Sequence, residues 1–318
     1  MKALAPALAA FVLLLVCGPA GAQDSVPVSR IDQIYGPYAW VVRDYARTLL
    51  NVGVVLLVAL PFQWLLPAVR RRAKFRSYEF WLDIVYASQG VWLSLLSMGA
   101  LITWMVSAIY GTERAWFPML STLPFWAQVL LGIWAFDFLV YWRHRLEHVV
   151  PALWSFHAVH HTAEKVDVLT TTRLHPLEVV FGALFNAIVI RMGFAPAAVG
   201  LAFAIYLYYN YYIHTNVRIR YPGFLKYLFV SPFMHQWHHA KDAAAAGKNL
   251  GVVFAFHEWL FGTAYHPGHW PSEFGLSGPA AERVPQSYIR QTLYPLQYLF
   301  AKVVAWREQR AAKAAATI

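Results

Sequence analysis

Three short groups of histidines have a spacing that suits metal coordination. In the first group, HRLEH, the two histidines are four residues apart, so both imidazoles project from one face of a helix and can reach one ion. The second and third groups, HAVHH and HQWHH, share the spacing H-x-x-H-H. Histidines at positions i, i+3 and i+4 likewise lie on one face of a helix. The eight histidines are His144, His148, His157, His160, His161, His235, His238 and His239. This pattern predicts a metal site built from imidazole nitrogens.

Chance spacing is a poor explanation of these groups. The chain has 13 histidines in 318 residues, a frequency at which one H-x-x-H-H group is expected roughly 0.02 times and two on the order of 10⁻⁴ times. Histidines that only satisfy hydrogen bonds are the alternative, but burying so many imidazoles requires a compensating partner such as a metal. Imidazole sites suit iron, zinc or copper, so spacing alone does not name the ion.

The single cysteine limits the other ligands. Residues 1–22 have the features of a secretory signal peptide, with a basic start, an apolar run and a small-x-small cleavage site that ends at Ala22. Cys17 lies inside this segment, so the mature chain is predicted to have no thiol. That prediction excludes disulfides, cysteine-ligated zinc and all-cysteine iron–sulfur clusters. Nitrogen and oxygen ligands remain.

The order of the histidine groups resembles one family of enzymes. Asp137 and the pair Tyr141-Trp142 precede the groups, and KNLGVVFAFHEWLFGT, residues 248–263, follows them. This arrangement resembles the fatty acid hydroxylase/sterol desaturase superfamily of membrane di-iron oxygenases over residues 130–265, although His257-Glu258 stands where that family usually has Trp-Asp. Acyl-coenzyme A desaturases also carry three histidine groups, but they separate the first two more widely than the eight residues found here.

The resemblance implies a cofactor and a reaction. The implied cofactor is two iron ions, which together reduce and split dioxygen to oxidise an unactivated C–H bond. The implied substrate is a lipid: fatty acyl, sterol-like or another isoprenoid. We expect hydroxylation, with desaturation as the alternative outcome of the same oxidant. No dinucleotide, flavin or haem motif is visible in the sequence, so we expect electrons from a separate ferredoxin, rubredoxin or cytochrome-type donor.

Asp137 is the candidate catalytic carboxylate. An acidic side chain inside an apolar segment is costly unless it is paired. We predict that Asp137 accepts a hydrogen bond from a ligand imidazole and so fixes its tautomer. A salt bridge to Arg143 or Arg145 is the alternative.

The remaining histidines have less defined roles. His214 is a predicted ninth ligand; the family often places a histidine pair here, spaced i and i+4, but the earlier position is Asn210. His175 either lines the site or starts a helix at the following proline. His266 and His269 are expected to be loop residues. His257-Glu258 does not begin a zinc protease motif, because H-E-x-x-H requires a second histidine where this chain has phenylalanine.

Membrane helices are predicted to position these residues. Hydrophobic residues make up 59% of the chain and aromatic residues 17%, which is typical of a membrane protein. The predicted spans are residues 49–66, 80–110, 123–141, 177–194 and 197–212. The net charge is +10, but the basic residues flank these runs, so we do not expect nucleic acid as a partner.

The basic cluster at residues 70–76 marks the cytoplasmic side of the membrane. Every histidine group is therefore predicted to lie on the cytoplasmic side of a bacterial inner membrane. A metal transporter is the non-enzymatic alternative, but it is expected to place its ligands along a path near the bilayer midplane. Lys226, Lys241 and Lys248 either dock an acidic electron carrier or form a solvated face.

These observations predict an all-α fold, a polytopic membrane helical bundle with a cytoplasmic cap of histidine-bearing helices. The predicted divisions are a signal peptide (1–22), N-terminal membrane segments (23–129), a catalytic domain (130–265) and a C-terminal loop with an amphipathic helix (266–318). That helix is expected over residues 293–310, on the cytoplasmic surface of the membrane.

Overall fold

The computed structural model describes residues 77–95, 115–277 and 284–315, together with isolated positions between residues 53 and 68 and between residues 105 and 109. The α-helices in these ranges are α1 (Tyr78–Leu95), α2 (Phe125–Val149), α3 (Pro151–His157), α4 (Pro176–Met192), α5 (Pro196–His214), α6 (Leu225–Leu228), α7 (Pro232–His238), α8 (Phe256–Leu260) and α9 (Tyr288–Ala315). The described residues contain isolated β-bridges but no β-strand. The predicted all-α class is therefore confirmed for them, whereas the predicted signal peptide lies outside them.

Helix α2 is the long element that leads into the first histidine group. It begins after Pro124 and runs to Val149, so it covers the predicted span 123–141 and continues through both histidines of HRLEH. Its buried apolar side chains pack against α5. The two helices approach closely at Gly132, where a Cβ would lie 2.9 Å from the Cβ of Ala202. This close packing fixes α2, which carries the first histidine group, relative to α5.

Helices α4 and α5 form the hairpin that the sequence predicts around Gly193 and Pro196. Each helix has a proline in its first turn, where the missing N–H would have no helical partner. Gly193 ends α4 with φ +107°, a left-handed conformation that favours glycine. A Cβ at this position would lie 2.7 Å from the carbonyl oxygen of Phe117. Because the hairpin is antiparallel, the start of α4 and the end of α5 lie at the same end of the fold.

Among the described helices, α2 alone is long and apolar enough to cross a membrane by length and composition. Half of its most apolar stretch is buried inside the protein. A buried core helix of a soluble protein can have the same length and composition. The predicted segment 80–110 is described as a continuous helix as far as Leu95 and as helical at the isolated positions 105, 108 and 109, and most of segment 49–66 lies outside the described residues. The polytopic bundle and its five spans therefore stay predictions.

Short elements carry the second and third histidine groups. They include α3, α7 and the 3₁₀ turns His160–Thr162 and Val168–Thr172. The C-terminal helix α9 is longer than the predicted range of 293–310 and contains Pro295. It exposes apolar residues such as Leu296 and Phe300, as an amphipathic helix at a membrane surface would, although contact with a membrane stays a prediction.

Candidate metal centre

The first histidine group lies on the last two turns of α2. His144 and His148 are one turn apart, and their ring centroids are 5.1 Å from each other. Both side chains face the second histidine group, and His144 Nε2 lies 2.9 Å from His157 Nε2. The predicted helical i, i+4 pair on a single face is therefore present.

The second histidine group does not form one continuous helix. Helix α3 ends at His157, and a 3₁₀ turn begins at His160. The change of conformation sends His157 and His161 toward α2, whereas His160 faces His214 at the end of α5, with 3.2 Å between their Nε2 atoms. The expectation that H-x-x-H-H acts as one i, i+3, i+4 ligand set is thus corrected, because its members face two directions.

The third group is divided in the same way, and the result is two clusters of ring nitrogens. Within each cluster the candidate ligand atoms all lie within 4.8 Å of one another. The first cluster contains His144, His148, His157, His161 and His238. The second cluster contains His160, His214, His235 and His239. All nine histidines that the sequence selects as ligands are therefore brought together, and rings of the two clusters also touch, as in the pair His161 and His239 with centroids 4.7 Å apart.

Backbone carbonyl groups fix the orientation of several of these rings. The Nδ1 atom of His144 lies 2.7 Å from the oxygen of Leu250, and that of His238 lies 2.8 Å from the oxygen of Lys248. In the second cluster, His214 Nδ1 lies 2.7 Å from its own helix's carbonyl at position 210. A carbonyl oxygen only accepts hydrogen bonds, so each Nδ1 must carry the proton. The Nε2 lone pair is then left facing the cluster.

The facing Nε2 atoms have the arrangement of ligands around a cation. His214 and His160 both donate from Nδ1 to carbonyl oxygens, so neither has a proton for the 3.2 Å gap between their Nε2 atoms. Two lone pairs at that distance repel each other, and a metal ion between them removes the repulsion. For a metal–nitrogen distance of about 2.1 Å, ligands at right angles would lie roughly 3.0 Å apart. The buried Nε2 atoms of His148 and His238 likewise have no hydrogen-bond partner among the described residues.

Burial keeps these imidazoles neutral. Burial lowers the pKa well below its ordinary value, and neighbouring rings lower it further, in rings that include His157, His160, His161, His235 and His239. Burial also lowers the pKa of His238 to about 4, even though its hydrogen bond to Lys248 O acts in the opposite direction. Neutral rings offer the lone pairs that a metal ion needs.

Residues 129–263 match the family model described as fatty acid hydroxylase. Over this region the chain is similar to the fatty acid hydroxylase/sterol desaturase superfamily. Its relatives include ornithine lipid hydroxylase OlsE of Rhizobium tropici, which is 32% identical over 61% of this chain and 60% of that protein. Human alkylglycerol monooxygenase is 29% identical over 48% of this chain and 33% of that enzyme.

A plant relative extends the range of named substrates. Methylsterol monooxygenase 2-2 of Arabidopsis thaliana is 28% identical over 47% of this chain and 57% of that enzyme. The chain thus spans three fifths or less of the length of these curated relatives. No solved structure matches it.

Asp137 has partners other than the ligand imidazole that the sequence predicts. Its carboxylate accepts hydrogen bonds from the backbone N–H groups of Val252, Val253 and Phe254 at 2.8 to 3.0 Å. None of the nine clustered histidines donates to it among the described hydrogen bonds, and the predicted alternative, an ion pair with an arginine, is not formed either, since Arg143 pairs with Glu147. Asp137 thus fixes the segment after Leu250, whose carbonyl oxygen orients His144.

The segment of residues 248–263 forms a second buried network beside α2. Glu258 accepts hydrogen bonds from the N–H of Gly251 and, at 2.6 Å, from the hydroxyl of Thr263. The Thr263 hydroxyl also lies 2.8 Å from the Tyr141 hydroxyl, which Arg145 contacts in turn. Burial raises the pKa of Glu258 to about 7. Glu258, the second residue of the pair that departs from the family's Trp-Asp, therefore anchors this segment.

Sequence reasoning missed Glu178, whose carboxylate contacts a clustered histidine. Glu178 is buried, and its Oε1 lies 2.8 Å from His157 Nδ1. A second buried carboxylate, Glu147, lies 3.7 Å from the same nitrogen. The signal available in the sequence was an acidic residue in the first turn of an apolar helix, but that position also suits a capping box, which Glu178 completes by accepting from the N–H of His175 at 3.0 Å.

His175 and Arg173 support the site from outside the clusters. His175 Nδ1 accepts from the N–H of Leu177, so this histidine starts α4, which was one of its two predicted roles. The buried guanidinium of Arg173 donates to Asp83 of α1 at 2.5 Å, while its carbonyl oxygen accepts from His160 Nδ1 at 3.3 Å. The ion pair thus fixes the backbone that orients a ring of the second cluster.

Proposed function

We propose that this chain is a membrane-bound non-haem di-iron monooxygenase that hydroxylates a C–H bond of a lipid, with dioxygen as co-substrate and electrons from a separate carrier. The observation that carries this proposal is the collection of nine histidines into two touching clusters with converging Nε2 atoms. The names of the relatives, which act on ornithine lipid, alkylglycerol and methylsterol, support a lipid as the substrate. The electron carrier would be a ferredoxin, a rubredoxin or a cytochrome-type protein.

The nine clustered histidines would hold one iron ion in each cluster. When bound, the two ions would supply the reductive activation of dioxygen and the oxidation of an unactivated C–H bond. The chain itself holds the ligand protons on Nδ1, through carbonyl oxygens and Glu178, and leaves Nε2 for the metal. Eight of the nine clustered histidines are also buried, which would exclude bulk water from the bound ions.

The proposed setting is a bacterial inner membrane with the clusters on the cytoplasmic side. We propose residues 130–265 as the catalytic domain, preceded by membrane segments over residues 23–129 and followed by a surface helix. The exposed apolar side chains of Trp126, Leu130 and Trp134 on α2 support contact of this helix with lipid. A lipid substrate would then reach the clusters sideways from the bilayer.

The test begins with lipids from a bacterial host that expresses the chain under ¹⁸O₂. The expected product is a host lipid that carries one heavy oxygen atom, and it disappears without oxygen. An alkene without label would identify a desaturase instead, and a product that forms without oxygen would contradict both activities.

Variants connect that product to the clusters. His160→Ala and His238→Ala each remove a ligand from a different cluster, so both should abolish the product and reduce iron below two ions per chain. His269→Ala is the matched control, because this exposed ring lies outside both clusters. Full activity and iron content in both cluster variants would contradict the proposed site.

A further inference from the structure

A charged cleft lies beside the second and third histidine groups. Its volume is about 350 Å³, which is within the size range of small-molecule sites. The residues that line it are Glu164, Lys165, Lys241, Glu273 and Phe274. Two side chains are thus acidic, two are basic and one is aromatic, and of these only Lys241 has a role predicted above, as a contact of the electron carrier or part of a solvated face.

The cleft is tied to the metal centre through the backbone. Lys241 is two residues beyond His239, and two residues of chain span at most about 7 Å. Gly275 donates its N–H to the carbonyl oxygen of His239 at 3.1 Å. The same glycine faces the cleft, since a Cβ on it would lie 3.3 Å from both Glu164 Cγ and Lys241 Cε. A molecule in the cleft would therefore lie close to the second cluster.

The cleft also lies next to a surface suited to the membrane interface. Glu79, in the first turn of α1, accepts from the backbone N–H groups of Glu164 and Lys165 at 3.3 and 3.1 Å. On either side of it Tyr78 and Trp81 each leave 59% of their surface exposed. Exposed tyrosine and tryptophan at the end of an apolar helix are typical of the lipid headgroup region. A membrane position of α1, as predicted from the sequence, would place the cleft at the depth of the lipid headgroups.

The charges of the cleft select the chemistry of the headgroup. Lys241 Nζ lies 3.4 Å from Glu164 Oε1, with about a third and three fifths of the two side chains exposed. Such an exposed ion pair contributes little stability, so a ligand can replace either partner at low cost. A ligand with both an ammonium and an acidic group would pair with both signs of charge, whereas a neutral headgroup would pair with neither.

We propose that this cleft binds the zwitterionic headgroup of the lipid substrate. The ammonium group would pair with Glu164 and Glu273, and the acidic group with Lys165 and Lys241. The proposal rests on the proposed function, because it names the class of lipid that the metal centre oxidises. The headgroup would hold the lipid at the membrane surface while its apolar part extends toward the clusters.

Binding is tested on the purified, iron-loaded protein in detergent without a reductant, so that no turnover is needed. The probes are dihexanoyl phosphatidylethanolamine, which is zwitterionic, and dihexanoylglycerol, which has the same chains and a neutral headgroup. The wild-type protein should prefer the zwitterionic probe by about tenfold or more, the effect of one or two charge-assisted contacts. The double variant K241Q/E273Q should lose this preference, whereas K302Q, a neutralised lysine on the exposed face of α9, should keep it.

Equal binding of the two probes by the wild-type protein, or an unchanged preference in the double variant, would overturn the proposal. The proposal would also be overturned if K241Q/E273Q bound lipid as the wild type does but its rate depended differently on the concentration of the electron carrier. The cleft would then dock the carrier. Turnover separates this inference from the proposed function. Selective binding of the zwitterionic probe without oxidation of any lipid would support the cleft and contradict the monooxygenase. Oxidation of lipids, with an unaltered binding preference in K241Q/E273Q, would support the monooxygenase and contradict the cleft.

Discussion

Substitution of Glu178 should show whether its hydrogen bond to His157 positions this ligand or whether only its buried charge matters. Its carboxylate accepts from both His157 Nδ1 and the N–H of His175. In Glu178→Gln only one amide oxygen can accept, so one of these two hydrogen bonds is lost while side-chain size is kept. We expect iron affinity to fall by about 10- to 100-fold, as is usual when the partner of a ligand histidine is removed. Competition with a chelator measures this affinity directly.

Glu147 provides the matched comparison for that experiment. Its carboxylate is also buried but lies 3.7 Å from His157 Nδ1, beyond a hydrogen bond, and pairs with Arg143. Glu147→Gln should therefore weaken iron binding less than Glu178→Gln does. Equal losses in the two variants would indicate that negative charge near His157 matters and the hydrogen bond does not.

Asp137→Asn tests whether this carboxylate acts in catalysis or in holding the fold. The Asn side chain has one oxygen, so it cannot accept from all three N–H groups that Asp137 binds. One buried unsatisfied N–H costs about 1–3 kcal/mol, so the unfolding temperature should fall, and Asp242→Asn on the exposed surface should have little effect. An Asp137→Asn protein with wild-type stability and iron content but no turnover would instead show a direct role in the reaction.

The sequence predicts all nine imidazoles but not their partners or their division. Metal-ligand spacing is a local property, and it selects the eight histidines of the three groups without knowledge of the fold, whereas His214 is predicted from the family resemblance. The split inside HAVHH depends on the end of α3 at His157, which no residue preference marks. Glu178 contacts a histidine 21 residues away, and the Leu250 carbonyl orients one 106 residues away; such pairs exist only after the helices have packed.

At the scale of elements, the segment from Gly251 to Thr263 is fixed by a carboxyl group with an altered pKa. Burial raises the pKa of Glu258 from 4.5 to about 7, and Asp137 nearby raises the pKa further. Between those pH values the folded chain binds a proton that the unfolded chain does not. The stabilisation from this group is therefore fully present below about pH 4.5 and is lost as the pH rises to about 7.

Glu258→Gln should remove that part of the pH dependence. The amide does not titrate, so the unfolding temperature of the variant should change less than that of the wild type between about pH 5 and pH 7, where Glu258 releases its proton. Thermal unfolding in detergent, followed by intrinsic fluorescence over this range, measures the difference. Parallel curves for the two proteins would show that another group controls the response.

The contact between α2 and α5 depends on Gly132. A Cβ at this position would lie 2.9 Å from Ala202 Cβ, so Gly132→Ala should destabilise the fold by about 1–3 kcal/mol through overpacking. Ala202→Gly in the same chain removes the opposing methyl group and should recover part of that loss. Gly200→Ala is the control, because nothing lies within 4 Å of its new methyl group. Destabilisation by Gly200→Ala equal to that of Gly132→Ala would rule out the clash as the cause.

For the whole molecule, the predicted five spans place both the histidine groups and the C-terminus in the cytoplasm. A reporter that is active only in the cytoplasm should therefore be active when fused after Ile318, and a periplasmic reporter should be inactive there. The described helices show why hydropathy alone leaves this open: α4 has 17 residues and α5 carries a run of tyrosines near its end. An active periplasmic fusion at Ile318 would require a different number of spans.

The interleaving of the two clusters makes their assembly a joint event. Because HAVHH and HQWHH each contribute to both, an ion that settles in one position also immobilises the peptide that presents ligands for the other. A singly loaded chain should thus take its second ion more readily than its first, and chelation should strip both together. Deleting HAVHH or HQWHH would remove ligands from both positions, whereas HRLEH supplies ligands to the first cluster alone.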